Sequence, residues 1–286
     1  CLGAETAYYD LPGVDEYGLP LKSVDDAEAI RQQALAAIDA DEDARFVVGG
    51  AGLSGVQVAG ELATLAEEED AADRIEVVVL EQLDSVAPAF HEAFQAAIAD
   101  QLAARGVEVR TETAVSEATD STIETRHEPT GTERSIDYDL FVWTGGIGGA
   151  AAMAGDRPIV RSDLRLTDST FALGDAARVV DADGEAVPAS ASAAIRAAPV
   201  VAANITALVG WELGDSEGFE PRLSQFRFDV PGWVVSVGDG AVAQVGPKVV
   251  TGTAAKALKA SVGAGYLSSV RAIRQATELV GEELNA

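Results

Sequence analysis

Thiols and lysines are scarce in this chain. Cys1 is the only cysteine among 286 residues, so there is no disulfide framework and no Cys-x-x-Cys redox pair in it. Of the 20 basic residues, only Lys22, Lys248, Lys256 and Lys259 are lysines, against 47 acids and a formal charge of −27. A surface of that sign repels a phosphate backbone, so nucleic acid is not an expected partner. His91 and His127 stand apart with no cysteine beside them, and no acidic stretch has EF-hand spacing with its glycine, so no metal site is expected. The sequence shows no unbroken run of about 18 apolar residues and no signal peptide. The expectation is a soluble, cytoplasmic protein, with contact to a membrane surface left open.

The acid is spread as DDAEAI, DADEDAR, AEEEDAAD and GEEL, each beside apolar periodic segments, and 48% of the residues are hydrophobic. That reads as a solvated acidic shell around an ordinary core. It resembles the surfaces of proteins from salt-loving organisms, where ionic strength screens self-repulsion, so stability is expected to fall at low salt. The length exceeds the ~250 residues at which single cores stop growing, so more than one core is expected.

The stretch from Phe46 to Gln82 reads as strand, glycine turn, helix and strand, with an acid closing the second strand. In Gly50-Ala51-Gly52-Leu53-Ser54-Gly55, Gly50 permits the tight turn, Gly52 lets the backbone approach a diphosphate, and Gly55 lets the helix sit close to the sheet. Leu53 and Ser54 belong to the same phosphate-facing turn. The helix that follows, from Val56 to about Glu67, points its positive end at the phosphates. Glu81 ends the run Val77-Val78-Val79-Leu80, where a carboxylate can take the adenosine ribose hydroxyls. It favours NAD over NADP, because it repels a 2′-phosphate and no arginine stands beside it in sequence. The span from Gly55 to Glu81 exceeds the roughly 20 residues usual for this fingerprint, and the acidic insert AEEEDAADR accounts for the excess.

Elsewhere the opening CLGAETAYYDLPGVDEYGLPLKS carries turn signals without a complete element or an initiator Met, and reads as the remnant of a longer chain. Ser23 is an expected N-cap for a helix over 24–40 that faces inward through Ile30, Ala34, Leu35 and Ile38. A second helix is expected over 87–105, ended by Gly106, then a short strand over 107–110. Segments at 114–115, 122–127 and 134–136 suggest a small antiparallel meander. Tyr138 to Trp143 reads as a strand running into Gly145-Gly146, at the end where ligands reach an open α/β sheet. Thr170 to Ala177 reads as a strand ending in Gly174-Asp175, before a helix over 191–208. Strand signals at 233–237 and 241–245 around Gly238-Asp239-Gly240 suggest a hairpin, and a last helix is expected over 254–283. Trp143, Trp211 and Trp233 are expected as core or interface anchors.

The stretches VVGGAGLSGVQVAGELA, DYDLFVWTGGI, FALGDAA and PASASAAIRAAPVVAANI stand in the order found in flavin-dependent pyridine-nucleotide oxidoreductases. The chain most resembles the type II NADH dehydrogenases, the single-subunit NADH:quinone oxidoreductases, over nearly its whole length. The resemblance implies an α/β fold with a Rossmann-like NADH-binding domain, part of an FAD-binding Rossmann-like domain, and a carboxyl-terminal hairpin and helix. The implied blocks are 1–40, a flavin-domain remnant and connecting helix; 41–146, the NADH domain; 147–210, the rest of the flavin domain; and 211–286, a segment for dimerisation and membrane contact. It also implies NAD contacts at Gly50, Gly52, Leu53, Ser54, Gly55 and Glu81, a turn near the nicotinamide at Gly145-Gly146, and FAD contacts at Gly174 and Asp175. The implied chemistry is direct hydride transfer from NADH to FAD and on to a quinone or another acceptor, with no catalytic side chain.

The family's first flavin fingerprint would lie before Cys1, so this stretch alone is expected to hold FAD loosely or not at all. Gln57 stands where many relatives carry a glutamate, and Ala191 to Ala197 depart from a pattern that often contacts quinone. A lone Cys1 argues against the dithiol-dependent relatives. Two alternatives stay open: a flavoprotein reductase serving a soluble protein acceptor, and a non-catalytic NADH-binding module.

Overall fold

The structure is a computed structural model that describes residues 2–40, 42–214, 219–272, 274–275 and 278–280. By compactness the chain divides into a larger unit, 8–146 with 231–286, and a smaller unit, 1–7 with 147–230. Residues 8–40 and 231–286 therefore cluster with 41–146.

At the centre of the larger unit is a four-stranded parallel sheet in the order Glu108–Arg110, Ile75–Leu80, Ala44–Gly49, Leu140–Trp143. Its strands are apolar almost without break because both faces are covered, as parallel sheets require. On one face Phe46, Val48, Val77, Val79, Leu140 and Val142 join the core built with the helices. On the other, Val47, Val78, Leu80, Phe141 and Trp143 meet Ile123 and Ile136 of the meander Thr113–Ala118, Thr122–His127, Thr132–Asp137. Beyond the last strand, the Leu19 N–H donates to Phe141 O at 2.9 Å and the Trp143 N–H to Leu19 O at 2.8 Å, so the amino-terminal loop extends that edge.

The helix Val24–Asp39 starts with a capping box between Ser23 and Asp26 and buries Ile30, Ala34 and Ile38. The fingerprint helix, Leu53–Glu68, buries Val56, Ala59, Leu62, Ala63 and Ala66. The next helix spans only Glu92–Ala103 and not 87–105. Ala87 takes a positive φ of 46° ahead of Pro88, and the chain turns helical only after His91.

The carboxyl-terminal segment holds three antiparallel strands, Gly232–Val237, Gly240–Val245 and Lys248–Thr251, one more than the expected hairpin. Val235, Val237 and Val242 enter the same core as the fingerprint helix, and Trp233 meets Phe90 edge-on with ring centroids 5.1 Å apart. Close packing there depends on Gly60, whose Cβ would stand 2.3 Å from the Gly238 N. The final helix is Gly252–Ser269. It is shorter than expected, and the GEEL end assigned to it lies outside the described residues.

The smaller unit is built from short pairs: Ala4–Thr6 with Ile147–Gly149, Ile159–Val160 with Arg178–Val179, and Arg165–Thr167 with Thr170–Phe171. The strand expected over 170–177 thus ends at Phe171, because Gly174–Ala176 forms a 3-10 turn. Val160, Leu164, Val179, Ala197, Val201 and Phe226 form the core. The helix Ala191–Glu212 is long and apolar enough to cross a membrane by length and composition, which corrects the reading that no segment qualifies. Arg196, Pro199 and Asn204 interrupt the apolar run in sequence without lowering its average much. Its inward face, Ala193, Ala197, Val201, Asn204 and Leu208, is buried in the unit. Asn204 is satisfied there, donating to the carbonyls of Asp163 and Ser224 and accepting the Ser224 N–H.

Candidate functional site

The strand Ala44–Gly49 ends in the glycine turn, and each glycine there meets a distinct requirement. Gly50 has φ +99°, a conformation that L side chains rarely adopt. Its N–H donates to Leu80 O at 2.8 Å, tying the turn to the neighbouring strand. Gly52 is extended, and a Cβ on it would meet no atom within 4 Å, so one face of the turn is open. Gly55 is the reverse, since its Cβ would lie 1.8 Å from Gly50 O.

Helix Leu53–Glu68 starts at Gly52 with no side-chain cap and no acid in its first turn. The N–H groups of Leu53, Ser54 and Gly55 have no acceptor inside the helix, and the positive end of the dipole faces the open side of Gly52. A diphosphate fits this arrangement: the backbone can come close, donors are on offer, and no acid in the helix's first turn competes for them.

Thr144, just after the strand Leu140–Trp143, holds the turn from the side. Its hydroxyl lies 3.0 Å from both Gly49 O and Gly50 O, and its N–H donates to Gly49 O at 2.8 Å. The sequence reading missed this residue; a lone threonine before Gly145-Gly146 carries no signal of its own.

Glu81 is only 7% exposed. Its Oε2 accepts the Ala51 N–H at 2.8 Å and its Oε1 the Leu83 N–H at 2.9 Å. Both oxygens are therefore oriented by backbone, with a second lone pair on each still able to accept from a diol. Glu81 holds the turn as well as facing the site.

Gly50, Glu81 and Gly145 line one cavity of about 410 Å³ together with Gln82, Arg126 and Glu128. No arginine neighbours Glu81 in sequence, but Arg126 lines the same cavity. Arg126 is 45 residues further on, and the meander brings it back. Gly145 must lack a side chain because a Cβ would fall 2.3 Å from the Trp143 ring, and one on Gly146 would fall 1.9 Å from the Tyr9 hydroxyl. Gly52, Leu53, Ser54 and Gly55 form the turn and helix start beside this cavity, not its wall.

Gly174 and Asp175 lie in the smaller unit, in the wall of a separate cavity of about 670 Å³. Gly174 takes φ +64° in the 3-10 turn. Arg157, also missed from sequence, donates to Asp175 O at 2.6 Å and Ala177 O at 3.0 Å and so holds the turn by its carbonyls. Ala191 and Ala194, at the start of the helix capped by Ser190, complete that wall. A backbone turn, a carboxylate and a helix start fit one part of a flavin; within the unit they supply no diphosphate loop. Among the described residues no group of three or more His, Cys, Asp or Glu could hold a metal ion.

Demethylphylloquinone reductase NdbB of Synechocystis sp. is 33% identical over 220 residues, 72% of this chain and 52% of that protein. The type II NADH:quinone oxidoreductase of Haemophilus influenzae is 30% identical over 210 residues, 67% of this chain and 44% of that protein. The chain thus spans about half the length of the curated relatives it matches. Its fold resembles that of NDH2 from Plasmodium falciparum, solved in complex with NADH, with a TM-score of 0.81 over 97% of this chain and 75% of that one. At 13% identity that likeness is one of fold. The sequence of residues 1–198 matches the pyridine nucleotide-disulphide oxidoreductase family, and the chain belongs to that family.

Proposed function

We propose that the chain carries the NADH-binding part, and a portion of the FAD-binding part, of a type II NADH dehydrogenase that passes electrons to a quinone or another acceptor. The observation that carries this reading is the glycine turn: an open face at Gly52, an uncapped helix start, and a buried carboxylate that fixes the loop. The two relatives above, both named as quinone reductases, support the same substrate class.

When bound, NADH supplies a hydride and FAD accepts it. The protein's share is position. The N–H groups from Leu53 to Gly55 and the helix dipole hold the diphosphate. Glu81 accepts from the ribose diol while keeping Ala51 and Leu83 in place. Gly145 and Gly146, packed against Trp143 and Tyr9, form the turn at the carboxyl end of the central sheet, on the nicotinamide side. In the smaller unit, Gly174, Asp175 and the helix start at Ala191 serve the flavin, with Arg157 holding the turn. No side chain transfers a proton in this scheme; orientation and exclusion of water do the work. Attachment to the cytoplasmic face of a membrane and pairing of two copies belong to the same reading, and vesicle flotation and sedimentation check them.

The direct test is NADH titration of the chain in high salt, followed by reduction of a quinone analogue with FAD supplied. The reading expects saturable NADH binding. It fails if a chain shown by circular dichroism to be folded binds no NADH. Reduction of a soluble protein acceptor and not of the quinone analogue would instead favour the soluble-acceptor reductase.

A further inference from the structure

Three charged side chains line the cavity beside the glycine turn: Glu81, Arg126 and Glu128. Glu81 is buried, and backbone donors fix both of its oxygens. Arg126 and Glu128 are different. The Arg126 Nη2 lies 2.9 Å from Glu128 Oε1, with the two side chains 54% and 41% exposed. Glu128 is itself anchored through its N–H, which donates to Glu112 O at 2.8 Å, so the pair sits on a fixed stretch of backbone.

Two carboxylates and one guanidinium leave the cavity wall with a net negative charge at neutral pH. A ribose diol is neutral and can donate to Glu81. A 2′-phosphate carries about −1.5 to −2 at that pH and would meet a negative wall. The group suited to take it is a guanidinium, whose planar fork matches phosphate oxygens. Arg126 is that group, and Glu128 already occupies it.

We propose that the Arg126–Glu128 pair sets the choice between NADH and NADPH, with Glu128 neutralising an arginine that would otherwise clamp the 2′-phosphate. This rests on the reading that the cavity takes the adenosine end of a dinucleotide. Specificity then comes from two repulsive elements, Glu81 in the floor and Glu128 on the arginine, and not from the Glu81 carboxylate alone.

The test is a set of dissociation constants for NADH and NADPH, with 2′,5′-ADP as competitor, measured on the whole chain at one fixed high salt concentration. The variants are Glu128→Gln, Arg126→Gln, the double variant, and Asp120→Asn, which removes the same charge from the far turn of the same meander, away from the cavity wall and from Arg126. Glu128→Gln is expected to raise the NADPH-to-NADH affinity ratio by about tenfold, equivalent to about 1.4 kcal/mol. It should tighten 2′,5′-ADP in parallel, and Arg126→Gln in the same chain should cancel both gains. An unchanged ratio in Glu128→Gln, a gain that survives in the double variant, or an equal gain in Asp120→Asn would each overturn the proposal. A wild-type chain that binds neither dinucleotide would overturn the reading beneath it instead, so the two failures are distinguishable.

Discussion

In the larger unit, Glu81 is buried with a backbone N–H on each carboxylate oxygen, while in the smaller unit Asp175 lies in a 3-10 turn held by Arg157 through the carbonyls of Asp175 and Ala177. Both places pair a glycine turn of positive φ with an acid, yet they are stabilised from opposite directions. The first is fixed by residues close to the sheet, with four parallel strands behind it. The second is fixed by a side chain 18 residues away, among strands only two or three residues long. Both turns depend on contacts distant in sequence, Glu81 reaching Ala51 across 30 residues and Thr144 reaching Gly49 across 95; the difference is that the first rests on a continuous sheet and the second on short pairs.

Gly55→Val breaks that contrast most severely. Its Cβ would lie 1.8 Å from Gly50 O, so helix and turn must separate, at a cost of roughly 1–3 kcal/mol or more. Chemical denaturation should show this large loss, and an unchanged midpoint would mean that the turn is not packed as described.

The smaller unit has its own weak point in Asp181. Burial pushes its carboxyl up, but the N–H groups of Phe228, Glu185 and Asp183, with Arg227 nearby, outweigh burial and hold it below the usual range. Asp181→Ala orphans those donors and should cost about 1–3 kcal/mol. Because the folded value is depressed, the stabilisation is fully present above the unfolded value near ~3.9 and is lost as pH falls through the folded one. Wild-type stability should therefore fall more steeply below about pH 4 than it would if Asp181 were unshifted, and the variant should lose that share of the pH dependence. A variant with the same acid limb as wild type would remove Asp181 from the explanation.

These contrasts also mark what the sequence discloses. The strand from Ala44 to Gly49, its helix and the strand ending before Glu81 were legible because long apolar periods and glycine spacing are local signals. Strands such as Ile159–Val160 and Arg178–Val179 were not, since two residues carry no periodicity. The same holds for Arg126, Thr144 and Arg157. Each acts on a site distant in sequence, and only the returning chain shows it. The helix over 87–105 was overextended because Ala87 and Pro88 fit a helical pattern in composition but not in backbone conformation.

Two smaller effects sharpen the larger unit. Thr144→Val keeps the shape but removes the hydroxyl shared by Gly49 O and Gly50 O. It should cost about 1 kcal/mol and weaken NADH, with Thr144→Ser restoring both; failure of serine to restore either would make the methyl, not the hydroxyl, the working part. Asp239 is held below the usual carboxylate range chiefly by its hydrogen bond to Arg105, with burial opposing. It is mostly exposed, so Asp239→Asn should cost less than about 1 kcal/mol, and less again as salt rises. A larger loss would mean that this pair carries the contact between the carboxyl-terminal sheet and the rest of the unit.

Gly52 offers the sharpest separation of folding from binding, because a Cβ there opens onto free space and its backbone is extended. NADH titration and thermal denaturation of wild type and Gly52→Leu, run side by side in high salt, put the central claim at risk. Wild type should bind at one saturating site, and Gly52→Leu should melt at the same temperature while losing at least about tenfold in affinity. Equal NADH affinity in the two proteins would contradict the claim that the open face of this turn receives the dinucleotide.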